Sequence, residues 1–345
     1  MWYFTTMKIF TRDYRITTAL PASYMQYFQG LRGCVLDIET TGLRRDNSKV
    51  ILIGLLTETE SGVQITQFLA ENHYEEYKVL TETLAFLEAE GIDYLVTYNG
   101  ASFDVPFINM RLGASFMDDH ISMYDLDLFR FLKSATDLKK RLGSLRQVAV
   151  ENYYGILEDR QDTISGRESI TMFDEYSLTG NSTLEKIILT HNREDVLQLC
   201  RLLHLVLSDV DKAGNMDEAM ARYGFPVLDG RLSVRTCVKN PRGASGPVLR
   251  ITGEQLRDAF SAAYFPNIDS PLSAEFKAEA AAFEIEAPIE KAPDNIEGDS
   301  SYYLDSKSLG LDFSDDPDCI NGYLILNPRT INLAANALVV NFVNV

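Results

Sequence analysis

Between residues 33 and 210 the hydrophobic period of this chain changes repeatedly, and the order of those changes narrows the fold to one class. The run "GCVLDIE" (33–39) is short and apolar, as a central strand requires. The runs "KVILIGLLTE" (49–58) and "GVQITQFLA" (62–70) follow, separated by the turn signal "ESG", which predicts an antiparallel hairpin. In "YEEYKVLTETLAFLEAE" (74–90) Tyr77, Leu80, Leu84 and Leu87 recur at three- and four-residue spacing, and Gly91 marks the stop of a helix. Another strand, "IDYLVTYN" (92–99), precedes a helix in "FDVPFINMRL" (103–112), where Pro106 falls in the tolerant first turn. "HISMYDLDLF" (120–129) begins as a strand. Residues 137–155 are helical again, with Leu138, Leu142, Leu145 and Val148 as core positions, and 158–181 read as loop plus a short helix. The clearest helical pattern spans 182–210, as one helix or as two broken near Thr190, opened by a Ser182–Glu185 capping-box signature.

Three strands, a helix, a strand, a helix, a strand and then helices make a mixed α/β layer rather than a purely parallel one. Residues 1–29 form an N-terminal extension with strand-like pieces ("MWYFTTMKIF"), and the α/β domain occupies 30–212. Beyond it, 213–345 reads as a β-rich region: "GFPVLDGRLSVRTCVKN", "GPVLRITGEQLRDAF", "AAFEIEAP" and "GYLILNPRTINLAANALVVNFVNV" together give short strands with one helix, and 290–301 a loop. No apolar run approaches the ~20 residues of a membrane span, and the first thirty residues lack the pattern of a secretory leader. The four cysteines, Cys34, Cys200, Cys237 and Cys319, are scattered without a CxxC, which fits reduced thiols in the cytoplasm.

Chemistry concentrates in carboxylates at the ends of these elements. Asp37 and Glu39 are two apart on one strand, hence on one face. Asp104 opens the helix after "LVTYNGASF", and Asp195 lies in the 182–210 helix. Four acids converging at one end of a sheet raise one another's pKa and are costly unless cations offset them. Oxygen ligands of this kind suit Mg²⁺ or Mn²⁺, and a pair of such ions serves phosphodiester hydrolysis. His191 stands four residues before Asp195, on the same helical face, placed to take a proton from water. His73, His120 and His204 lack such company and read as structural.

The motifs "LDIETTGL", "VTYNGASFDVPFINMR" and "THNREDVLQL", in this order, resemble the DEDD exonuclease branch of the RNase H-like superfamily, and most of all the bacterial YprB-type proteins. "QFLAENHYEEYKVL" and "SLRQVAVENYYGI" extend the similarity over about residues 30–208. The resemblance implies an RNase H-like mixed five-stranded sheet with flanking helices and a metal-dependent 3′→5′ exonuclease acting on DNA or RNA, with a single-stranded end as substrate. It assigns Asp37, Glu39, Asp104 and Asp195 to two divalent cations, Mg²⁺ or Mn²⁺, and His191 to the general base. Relatives place that histidine five positions before the last Asp, or a tyrosine four before; here the histidine stands four before. It also implies substrate contacts at Thr40 and Thr41, while Asn99 reads as a substrate or turn residue and Phe103 as a base-stacking or core residue. Asp125 and Asp127, in "YDLDLF", read as supporting groups or as ordinary strand-end acids.

Net charge weighs on the other side. At −18 the chain does not bind nucleic acid through bulk positive charge, and an inactive nucleic-acid-binding or scaffolding protein with the same fold is the alternative. Lys133, Lys139, Lys140, Arg141 and Arg146 nevertheless cluster between the second and third motifs, as a candidate backbone-binding rim or as a solvated helix face.

Overall fold

The computed structural model describes residues 7–16, 19–115, 119–162, 164–243, 246–266, 272–291 and 302–344. The chain divides into two compact units: residues 1–21 with 30–209, and residues 22–29 with 210–345. Strand β1 (Lys8–Tyr14) belongs to the first unit and helix α1 (Ala22–Phe28) to the second, so the N-terminal stretch is shared between them.

The first unit is built on β1, β2 (Gly33–Thr40), β3 (Val50–Thr59), β4 (Gly62–Leu69), β5 (Tyr94–Thr97) and β6 (Tyr124–Asp127). They lie in the order β1-β4-β3-β2-β5-β6. The sheet has six strands rather than five because β1 pairs antiparallel along the whole outer edge of β4, Lys8 opposite Leu69 and Tyr14 opposite Val63. The β3–β4 hairpin forms as the "ESG" turn predicts. Strand β2 is antiparallel to β3 and parallel to β5, which is parallel to β6. The carboxyl ends of β2, β5 and β6 therefore share one end of the sheet, the place where open α/β sheets present loops for chemistry.

Helices α2 (Glu76–Ala89) and α3 (Asp104–Ala114) contribute Val79, Leu80, Leu87, Phe107, Ile108 and Leu112 to a core with Leu36, Ile38, Ile51 and Ile53 of the sheet. Helices α4 (Leu128–Ala135), α5 (Leu138–Leu142) and α6 (Gln147–Tyr153) follow β6. Leu138 and Leu145 are buried as expected, but Val148 is exposed, because the break at Gly143 resets the helical phase. Helix α7 (Gly166–Thr179) opens with a Ser165–Glu168 capping box.

Helix α8 (Ser182–Lys212) is continuous through Thr190, and its 31 residues span about 46 Å. Its cap differs from the sequence signature. The Asn181 carboxamide accepts from Thr183 N at 2.9 Å, while Glu185 accepts from the Tyr176 hydroxyl at 3.0 Å and pairs with Lys8. The extra edge strand supplies that lysine and so draws Glu185 away from the backbone.

The second unit holds α1, α9 (Met216–Tyr223) and strands β7 (Phe225–Val227), β8 (Leu232–Gly243), β9 (Gly246–Gln255), β10 (Ala262–Tyr264), β11 (Ser273–Lys277) and β12 (Ala282–Pro288). These pair antiparallel in the order β10-β11-β12-β9-β8-β7, and a four-stranded sheet follows between residues 290 and 325. Where the sequence predicts one helix in this region, the described residues hold two of eight residues or more, α9 and the chain's last element, helix α10 (Pro328–Val343). Its start is fixed by an Asn327–Thr330 capping box with Pro328 in the first turn, and Ala334 and Ala335 are wholly buried. Asn332 of α10 donates to Tyr27 Oη and to the Asp217 carbonyl, both at 2.8 Å, tying α10 to α1 and α9. Most of the loop read at 290–301 lies outside the described residues, as does the start of the strand-like N-terminus. None of the four cysteines is disulfide-bonded, and among the described residues no helix is long and apolar enough to cross a membrane.

Candidate active site

The β2 acids occupy the carboxyl end of their strand and face α7 and α8 rather than the α2–α3 core. Asp37 lies opposite Gly54 of β3, and Gly54 lies opposite Gln67 of β4. Across this row lies Asn192 of α8. Its Nδ2 donates to Asp37 Oδ2 at 2.9 Å, and its Oδ1 accepts from Gln67 Nε2 at 2.8 Å. Gln67 also reaches the Leu189 carbonyl at 3.0 Å. A β-carbon on Gly54 would sit 2.2 Å from Asn192 Oδ1, so only glycine lets the helix approach this closely. The glycine that interrupts "VILIGLL" was the sequence signal for this contact; Asn192 and Gln67 carried none.

Asp104 enters from the turn after β5. Asn99 adopts a left-handed conformation (φ 65°), a backbone state its short polar side chain tolerates, and its carbonyl accepts from Ser102 N and Phe103 N. Asp127 secures this turn from β6: its Oδ1 accepts from Asn99 N at 2.8 Å and from Arg130 N at 3.2 Å, capping α4. Asp127 is thus a backbone anchor, and Asp125 accepts from Thr97 Oγ1 at 2.8 Å. The turn delivers Asp104, only 6% exposed, to β2, where its Oδ1 accepts from Ile38 N at 3.2 Å.

Helix α8 completes the cluster. Glu39 Oε1 and Asp195 Oδ2 each lie 3.6 Å from His191 Nε2. One ligand atom from each of these three residues falls within 4.8 Å of the others, a spacing that a metal ion could bridge. The other imidazole nitrogen is committed: Nδ1 is 2.6 Å from Asp162 Oδ2. Asp162 is in turn held by Arg160, whose Nε is 2.8 Å from its Oδ1. The same guanidinium contacts Asp195 Oδ1 at 2.5 Å and Glu151 Oε1 of α6 at 3.0 Å. Glu151 has no exposed surface and also accepts from Gln147 at 3.0 Å. Sequence reasoning missed Arg160, Asp162 and Glu151. They lie on a polar, irregular stretch and a short helix, and nothing in "EDRQD" announces which side chain will turn inward.

The four acids and the histidine named from sequence are therefore brought together. Burial pushes Asp37 well above the ordinary carboxylate range, and Asp195, Asp104 and Glu39 push it further. Burial likewise raises Glu39 to about 7, against the pull of His191, and Asp104 to about 7, against two backbone hydrogen bonds. Burial alone would lower His191, but Asp195, Glu39 and Asp162 outweigh it and raise the imidazole. Asp162 goes the other way: burial opposes its charge, but Arg160 and His191 prevail and hold it below its usual range. Four mutually repelling carboxylates, buried or half-buried, with one imidazole nitrogen turned inward, fit a hard divalent cation.

The remaining sequence candidates sit at the margin. Thr40 Oγ1 donates to the Gly42 carbonyl at 2.8 Å, and Thr41 Oγ1 accepts from Lys49 N at 2.9 Å, so both hydroxyls stitch the loop after β2. Phe103 packs on the core, its ring 5.4 Å from that of Phe107. His73 contacts Asp174 at 3.1 Å, away from the cluster.

Comparison with known proteins gives one family: a model of the RNase H superfamily matches residues 34–207, half of the chain. No curated protein sequence matches. Among solved structures, the chain is similar to the family B DNA polymerase of the hyperthermophilic archaeon Pyrobaculum calidifontis, at 18% identity and a TM-score of 0.39. The similarity covers 56% of this chain and 29% of that polymerase.

Proposed function

The chain belongs to the RNase H superfamily, and from the geometry of its acid cluster we propose that it is a metal-dependent 3′→5′ exonuclease. The observation that carries the reading is the convergence of Glu39, His191 and Asp195 on one point beside Asp37 and Asp104. Asp37, Glu39, Asp104 and Asp195 would hold two divalent cations, Mg²⁺ or Mn²⁺, which supply Lewis acidity toward a phosphodiester and charge relief for the acids. His191 accepts the proton of the attacking water at Nε2, because Nδ1 is bound to Asp162 and Nε2 is the nitrogen facing the cluster. Asp162 fixes the tautomer and steadies the imidazolium that results. Arg160 keeps Asp195 and Asp162 in register with each other.

Substrate is a DNA or RNA strand end, with the loop bearing Thr40 and Thr41 and the turn bearing Asn99 and Phe103 lining its approach. The reduced cysteines fit a cytoplasmic protein. The test is incubation of the purified chain and Mn²⁺ with oligonucleotides labelled at the 3′ or the 5′ end. Early release of the 3′ label as mononucleotide, and its loss in D37A, is expected. Intact DNA and RNA under all conditions would refute the reading; with Mn²⁺ binding also absent by calorimetry, an inactive scaffold would stand instead.

A further inference from the structure

Residues 128–150 carry Arg130, Lys133, Lys139, Lys140, Arg141 and Arg146 against the single acid Asp137, in a chain whose net charge is −18. All six cations are exposed. Among the described residues, only Arg130 and Arg141 have a carboxylate within 4.0 Å, at 3.5 Å and 3.9 Å. Both ends of this segment are fastened to elements that bear the acid cluster. At its start, Arg130 Nη2 donates to Ser102 Oγ at 3.0 Å, two residues from Asp104. Arg45, from the loop after β2, donates to the carbonyl of the same serine. At its end, Gln147, next to Arg146, lies 3.5 Å from the Asp195 carbonyl. The basic segment therefore begins beside one acid of the cluster and finishes beside another.

We infer that α4, α5 and the start of α6 form a cationic track for the phosphates of a nucleic-acid strand whose end lies in the acid cluster. The identity of the polyanion rests on the nuclease reading above; the track itself rests on charge and placement. Six like charges on 23 residues repel one another, and a row of phosphates relieves that repulsion while releasing counterions. The acidic remainder of the chain repels the same strand and confines it to this path.

The test is fluorescence anisotropy of a labelled single-stranded oligonucleotide in chelator, where no cleavage interferes. The variant K139A/K140A/R141A should bind at least tenfold more weakly at low salt. Its slope of log K against log salt should be shallower by about 2, since each single-strand phosphate contact contributes ~0.7. A second variant, K133A/R146A, lies outside α5 and should flatten the slope by about 1.4 on the same basis. A control, R222A/K277A/K307A, removes three exposed cations of the second unit and should keep the wild-type slope. Unchanged binding in both track variants, equal loss in the control, or no binding by the wild type would overturn the track. Stronger competition by polyglutamate than by an oligonucleotide of equal charge would overturn it in favour of an acidic protein partner. Binding without cleavage once Mn²⁺ is restored would refute the nuclease reading and leave the track standing.

Discussion

Replacing Asp104 by Asn should make the chelated protein more stable and the enzyme inactive. Asp104 is buried, and its carboxyl is raised from 3.8 to about 7. Between those values the folded state holds a proton that the unfolded state has released. Stability therefore falls as pH rises through the window, and the full penalty stands above pH 7. A rise of about three units corresponds to ~4 kcal/mol at ~1.4 kcal/mol per unit. The neighbouring acids share protons with Asp104, which reduces the expected gain to about 2–4 kcal/mol at pH 8. Asn keeps the carbonyl oxygen that accepts from Ile38 N, so the variant loses the charge and little else. In thermal denaturation followed by circular dichroism with chelator, D104N should melt about 5–15 °C above wild type at pH 8 and level with it at pH 4. Adding Mn²⁺ should raise the wild-type transition and narrow the gap. A D104N variant melting at or below wild type at pH 8 would refute the reasoning, because the carboxylate would then be satisfied by the protein alone.

Three further substitutions probe the supports of the site. D162A removes the partner of His191 Nδ1 and should lower kcat about 10–100-fold with little change in KM, as losses behind a reactive histidine typically do. An unchanged kcat would show that the imidazole needs no orienting. G54A sets a methyl group 2.2 Å from Asn192 Oδ1 and should cost about 1–3 kcal/mol in urea unfolding while weakening Mn²⁺ binding. Wild-type stability and Mn²⁺ affinity would contradict the close approach of α8. R160Q strands the buried Glu151 carboxylate and should cost about 3–5 kcal/mol. The double variant R160Q/E151Q should recover most of that loss by the same assay, and no recovery would mean that Arg160 stabilises through Asp195 and Asp162 instead.

What the sequence made legible was whatever a regular period carried. Asp37 and Glu39 could be placed because alternation puts both on one face of a strand, and His191 and Asp195 because four residues is one helical turn. Asp104 followed from a turn motif with a helix behind it. The misses have a common cause, since each depends on a partner distant in sequence. Asp162 meets His191 across 29 residues, and Asn192 meets Gln67 across 125. Glu185 had the spacing of a capping residue, but Lys8, 177 residues away, competes for it. The helix expected beyond residue 213 could not be placed from sequence: the valine-rich end of α10 has strand propensity, which the Asn327–Pro328 start and the buried alanines override. Asn99 and Phe103 were ambiguous for the same reason: a turn residue at positive φ and an aromatic packed on the core carry the same sequence pattern whether or not they also meet a substrate.

The acids also divide their oxygens in a way that bears on how charge is managed. Asp37 commits Oδ2 to Asn192, Asp104 commits Oδ1 to the β2 backbone, and Asp195 commits Oδ1 to Arg160. Each tether comes from a different element: helix α8, strand β2 and the segment before α7. The carboxylates are therefore positioned before any ion arrives, and little rearrangement is left to oppose binding. Tethering also separates two jobs that a bare cluster would confuse. Neutral donors orient Asp37 and Asp104 without cancelling their charge, whereas Arg160 offsets part of the charge at Asp195, one of the two acids 3.6 Å from His191 Nε2.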